Sequence, residues 1–193
     1  MQRATVRMLL CLCMSTWMAG CAHPIMGWSA FDPGSVVVAP DKAVVYFMRL
    51  QKPGWVNNAS VFDGEQLVGI VPYKTKLPYL AAPGEHIFMV VGESADFIKA
   101  ELLAGKTYYV EVTPRTGWGA TRFSLDPVSK HELGKRSQRK KIGKCSLIRN
   151  TDSAYSWAEA HEAVIHKKHD SYLAKWNQKD ESGRPFLRPE DGE

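Results

Sequence analysis

The sequence predicts a mainly β protein: an antiparallel β-sandwich of seven to eight strands, followed by a C-terminal amphipathic α-helix. Three observations lead there. Between Lys42 and Asp126, runs rich in Val, Ile, Phe and Tyr recur about every 8–12 residues, separated by Gly-, Pro- and Asp-containing turns. No helical repeat interrupts these runs, which argues against a parallel sheet with crossover helices. Beyond Ser153 the apolar residues change to helical spacing, with Trp157, Ala160, Val164, Ile165, Tyr172 and Trp176 on one broad face.

Each element has its own justification. Lys42 to Leu50 (KAVVYFMRL) is dense in β-branched and aromatic residues, as is Asn58 to Phe62 (NASVF). Asp63-Gly64 is a strong hairpin signal, and Leu67 to Val71 follows it. Tyr73 to Leu80 reads as a strand placed at an edge by Pro78, which cannot donate to a ladder. Pro83-Gly84 turns the chain into His86 to Val91 (HIFMVV), a buried-looking strand. Asp96 to Leu102, Thr107 to Thr113 and Ala120 to Leu125 complete the set. Tyr108 and Tyr109 are adjacent in a strand and face opposite sides, so one belongs to the core.

Outside these strands the composition divides the chain. Residues 1–20 form a leader, 21–41 a Pro- and Gly-containing tether with room for a short strand at Val36–Val38, and 42–128 the β-domain. Residues 129–152 form a basic connector, 153–177 the helix with Ser153 as its N-cap, and 178–193 a polar tail that docks through Phe186 and Leu187. The leader has a positive start (Arg3, Arg7) and an apolar run from Met8 to Met18, too short to span a bilayer and long enough for a signal peptide.

Two resemblances add to this. Met18-Ala19-Gly20-Cys21 resembles the processing site of bacterial lipoproteins, with Met18 where Leu is commoner. It implies cleavage before Cys21 and attachment of lipid to its thiol as a thioether, with two or three palmitate-type chains in all. Ala22, rather than Asp, implies the outer membrane, with the protein facing the periplasm. The motifs FDGEQLVGIV, LAAPGEHIFMV and LLAGKTYYVEV, within residues 43–128, resemble a family of bacterial envelope lipoproteins built on a domain of unknown function. They are similar, more loosely, to PEGA domains. That resemblance implies an Ig/PEGA-like sandwich and an envelope setting, and supplies no catalytic residue.

Charge and cysteines narrow the function. The chain carries +5, and loss of Arg3 and Arg7 with the leader leaves +3, too mild for nucleic acid. Cys11 and Cys13 fall in the leader and Cys21 takes lipid, so Cys145 stands alone, buried and inert or open to an intermolecular bond. The segment 130–144 holds Lys130, Lys135, Arg136, Arg139, Lys140, Lys141 and Lys144 against Glu132. Its bland reading is a solvated loop; its functional one is contact with anionic headgroups, cell-wall polymer or an acidic envelope partner. Trp55 and Trp118, in Gly-flanked loops, are candidates for stacking on sugar rings, or else cover an open end of the sandwich.

No metal site and no cofactor is assigned. His161-Glu162 and His166 miss the H-E-x-x-H zinc spacing by one residue, and His166 with His169 could share a metal but lack a visible third ligand. No carboxylate pair, G-x-S-x-G, P-loop or C-x-x-C stands out, so nothing positive points to an enzyme. The expected function is a membrane-anchored binding or assembly module. The alternatives are a glycan-binding protein, and a hydrolase or metal-handling protein whose site forms only on folding.

Overall fold

The computed structural model describes residues 29–30, 36, 39–52, 59–116 and 121–193. The leader, Cys21, most of the tether, Trp55 and Trp118 lie outside the described residues. The protein is mainly β. Its strands are β1 (Ser29–Ala30), β2 (Ala43–Met48), β3 (Ala59–Asp63), β4 (Gln66–Val71), β5 (Thr75–Ala81), β6 (Gly84–Val91), β7 (Ala95–Leu102), β8 (Thr107–Thr116), β9 (Thr121–Pro127), β10 (Ser146–Arg149) and β11 (Phe186–Leu187). The helices are α1 (Lys130–Gly134), α2 (Arg136–Gly143), α3 (Asp152–Ala160) and α4 (Glu162–Asn177). Strands β2 to β9 overlap the eight runs read from the sequence, and β1, β10 and β11 take the described strands beyond the expected seven to eight.

Two mixed sheets result. One runs β10-β5-β2-β8-β9, extended at β10 by β1; the other runs β11-β7-β6-β3-β4. The expectation of a purely antiparallel arrangement is corrected by three parallel pairs: β2 with β8, β10 with β5, and β11 with β7. The reason is connectivity. Before it returns beside β2 as β8, the chain passes through β6 and β7 in the other sheet, and such a long crossover permits parallel pairing. Pro78 pairs with Tyr46 across β2, and β10 meets β5 only at Thr75 and Lys76. The proline therefore lies past the β10 ladder, where a missing N–H costs nothing, although β5 is not an edge strand along its whole length.

Alternation along the strands sorts side chains into three apolar layers. Val45 and Phe47 of β2, Val61 of β3, Phe88 and Val90 of β6, Ile98 of β7, and Tyr108 and Val110 of β8 share one core that both sheets line. Phe47 meets Phe88 edge-on at 5.1 Å across it. The residues between them point outward. Met48 packs with Val128, Leu133 and Ile142, which brings α1 and α2 onto the outer face of β2 and β8. Phe62, Met89 and Phe97 pack with Ile165 and Trp176, which brings α4 onto the outer face of the other sheet. Strands such as VVYFM and FMVV are unbroken in hydrophobicity because helices cover the second face of each, whereas Ile87, just before FMVV, is left 37% exposed.

The C-terminal third is more ordered than its composition suggests. Within the basic connector, Ser129 and Glu132 form a reciprocal capping box for α1. The expected single helix over 153–177 is two helices, and its N-cap is Thr151 rather than Ser153. The break falls at His161 (φ −114°, ψ 8°). Its Nδ1 lies 2.7 Å from the Trp157 carbonyl, while its backbone N–H turns to Ala158 O at 3.1 Å. The side chain thus competes with the helical ladder and tightens the turn. Ile165 and Trp176 are buried as expected, whereas Val164 is left 56% exposed. In the tail, Phe186 and Leu187 add to β7, and Glu193 exchanges two backbone bonds with Thr107.

Candidate functional site

An open groove of about 860 Å³ lies between the outer face of β6 and β7, the end of α4 and the docked tail. That volume is within the range of small-molecule sites. The tail reaches the groove because Lys99 N–H donates to Pro185 O and because β11 pairs with β7. Prolines at 185 and 189 hold the intervening Phe186-Leu187-Arg188 extended. Leu187 is buried, and Phe186 and Arg188 line the groove.

Cations seated on aromatic rings dominate its walls. The Arg184 guanidinium lies 5.6 Å above the Trp176 ring and Lys99 Nζ lies 5.9 Å from the Phe186 ring. Lys99 is paired with Glu85 at 3.1 Å, and Arg188 reaches Glu190 at 3.9 Å. Arg184, Lys99 and Arg188 bring three positive charges to the groove, against Glu85 and Glu181. Trp176 is 4% exposed, and its Nε1 has no acceptor among the described residues.

His86 borders the groove but is engaged on both nitrogens. Nδ1 lies 2.8 Å from Asp63 Oδ2 and Nε2 lies 2.8 Å from Ala82 O. Tyr79 O–H donates to the same Asp63 oxygen at 2.9 Å. Burial, reinforced by the neighbouring Asp63 carboxylate, pushes the Tyr79 phenol well above its ordinary value. Asp63 belongs to one sheet and Tyr79 to the other, so this triad ties the two sheets together. The sequence explains Asp63 by the hairpin turn alone; its side-chain role depends on residues 16 and 23 positions away.

The basic segment is helical and outward-facing. Lys130, Lys135, Arg136, Arg139, Lys140, Lys141 and Lys144 are all exposed, while Leu133 and Ile142 are buried beneath them. Arg139 donates from Nε to Leu133 O at 2.7 Å and lies 3.8 Å from Glu193, so it is the most fixed of the seven. Cys145 is a free, buried thiol, and burial raises its pKa. Lys74 and Lys76 act in the opposite direction without overcoming desolvation. Lys168, inside the helical stripe, donates to Gly92 O at 2.6 Å, and desolvation lowers its pKa.

The histidines of α4 have neighbours that local sequence does not reveal. Gly64 (φ +56°) makes a two-residue turn between β3 and β4, and this turn presents Glu65 to the helix. His166 Nδ1 lies 2.7 Å from Glu65 Oε1 and His169 Nδ1 lies 3.9 Å from it. Asp170 Oδ1 is 3.2 Å from His169 Nδ1.

The groove was not legible either. Lys99 looks like an outward residue of an alternating strand, and Arg184 and Arg188 look like charges in a polar tail. The P-F-L-R-P pattern is the one signal that the tail is extended and docked. No family model, curated protein or solved structure matches this chain.

Proposed function

We propose that the protein is a lipid-anchored module of the bacterial envelope, held in the outer membrane through Cys21 and facing the periplasm, that binds an anionic cell-wall glycan. The observation that carries the binding reading is the groove, where Lys99, Arg184 and Arg188 stand around the half-buried Phe186 ring, Trp176 being buried beneath Arg184. Cell-wall glycan fragments combine sugar rings with carboxylates. Rings bury apolar faces on aromatics, and carboxylates take charge-assisted bonds from guanidinium groups. An Ig/PEGA-like sandwich is the fold type we assign, supported by a core that residues of both sheets share.

Titration of soluble muropeptides (disaccharide-peptides) into the detergent-solubilised chain tests this. Losing a charged hydrogen bond costs about 1.5–3 kcal/mol. The double variant Arg184→Ala/Arg188→Ala is therefore expected to bind at least about tenfold more weakly than the parent. Equal binding by parent and variant, or none by either, would remove the glycan reading.

A second contact is favoured by the exposed basic residues of α1 and α2. On a protein tethered to an anionic bilayer, each basic side chain near the surface contributes about 1 kcal/mol. Charge-reversed α2 (Arg136→Glu/Lys140→Glu) should show weaker association with anionic vesicles and a smaller response to salt.

A further inference from the structure

The strongest unassigned feature is the cluster where the β3–β4 turn meets α4. Glu65, His166 and Asp170 each offer a ligand atom, and these atoms lie within 4.8 Å of one another. They come from places a hundred residues apart in the chain, and fold brings them together. On the helix, 166, 169 and 170 stand at i, i+3 and i+4, hence on one face. A four-coordinate zinc ion with ligand bonds of about 2.0–2.2 Å needs its ligand atoms roughly 3.3–3.5 Å apart. His166 Nδ1 and Glu65 Oε1, in contact at 2.7 Å, stand closer than that figure, so an ion would have to part this pair while drawing in Asp170.

We propose that Glu65, His166 and Asp170 form a binding site for a divalent transition cation of the zinc class. Mixed imidazole and carboxylate donors suit such a cation better than the all-oxygen set that magnesium or calcium takes. His169 is a positioning residue. Its Nδ1 lies 3.2 Å from Asp170 Oδ1, and its ring, 17% exposed, is fixed edge-on against Phe97 at 5.9 Å. A ring so held steadies the carboxylate beside it, as outer-shell partners of metal ligands do. Beside two of the three ligands lies a hollow of about 250 Å³, bordered by Glu65 and His166 and also by Glu159 and Glu162. Three protein ligands and an open position allow water or an outside ligand to complete the sphere. The ion would also fasten α4 to the hairpin turn.

The experiment is zinc titration of the full chain, its thiols alkylated so that Cys11, Cys13 and Cys21 cannot compete, read by calorimetry and by melting temperature. One equivalent should bind and raise the melting temperature, because binding to the folded state alone stabilises it. Glu65→Gln and His166→Gln should each weaken binding at least about tenfold, while His131→Gln, exposed on α1 and outside the cluster, leaves it unchanged. The two variants lie on separate elements, so a fold defect in one leaves the other to report. Cobalt in place of zinc should give a tetrahedral spectrum that His166→Gln abolishes. No binding, equal binding by all variants, or half an equivalent with dimerisation would overturn the site.

Discussion

A Cβ built at Gly192 would stand 2.7 Å from Tyr108 Cζ. Tyr108 is fully buried and donates to Pro189 O, so the ring cannot give way. Gly192→Ala is therefore expected to lift the end of the tail and cost about 1–3 kcal/mol, read as a lower melting temperature. The capping box of α1 gives a pH-dependent counterpart. The Ser129 backbone N–H, donating to Glu132 Oε2, holds that carboxyl below its ordinary 4.5. A depressed acid stabilises the fold above its unfolded pKa and loses that contribution as pH falls through the folded value. Glu132→Gln should thus be slightly less stable than the parent at pH 7, and the gap should close below pH 4.5 in chemical denaturation. The effect is small, because the group is exposed and screened. Single residues were legible where strand alternation decides them, as with Tyr108 and Tyr109 on opposite faces, although only the structure shows that Tyr108 is the inward one. They were not legible where a role depends on distant partners, as with Asp63, Glu65 and Arg184.

Among elements, β2 to β9 were readable because each is a short apolar run bounded by turn residues. Strands β10 and β11 were not. Four and two residues long, they pair with β5 and β7 through backbone bonds that leave little hydrophobic signature. The S-K-H-E sequence at Ser129–Glu132 did carry a helix-start signal, but the charge of the surrounding segment obscured it. On α4 the structure separates two residues that helical spacing groups together. Ile165 is 5% exposed and Val164 is 56% exposed. Ile165→Ala should cost about 2–5 kcal/mol, and Val164→Ala should stay within about 0.5 kcal/mol. Ending the chain at Thr151 would uncover Phe62, Met89 and Phe97. The shortened protein is expected to lose several kcal/mol or aggregate, since large apolar side chains contribute about 1.5–3 kcal/mol each on burial. A shortened chain that melts with the parent and stays monomeric would contradict the packing of α4 on its own sheet.

For the molecule as a whole, two sheets enclose one core, α1 and α2 cover one outer face, and α3 with α4 covers the other. Among the described residues three polar features stand uncovered: a cationic groove beside the tail, a basic helical pair, and a histidine–carboxylate cluster at the β3–β4 turn. The groove and the cluster are assembled from segments far apart in the chain, which hides them from the sequence, whereas the basic pair is contiguous and legible. All three would act at a membrane surface if Cys21 carries lipid, and the proposed function depends on that attachment. Metabolic labelling with an alkyne fatty acid in a bacterial host tests it directly. The parent chain should be labelled and processed, and Cys21→Ser should be unlabelled and retain its leader, because a hydroxyl cannot replace the thiol that takes the lipid. Equal labelling of the two chains, or no labelling of the parent, would contradict the account.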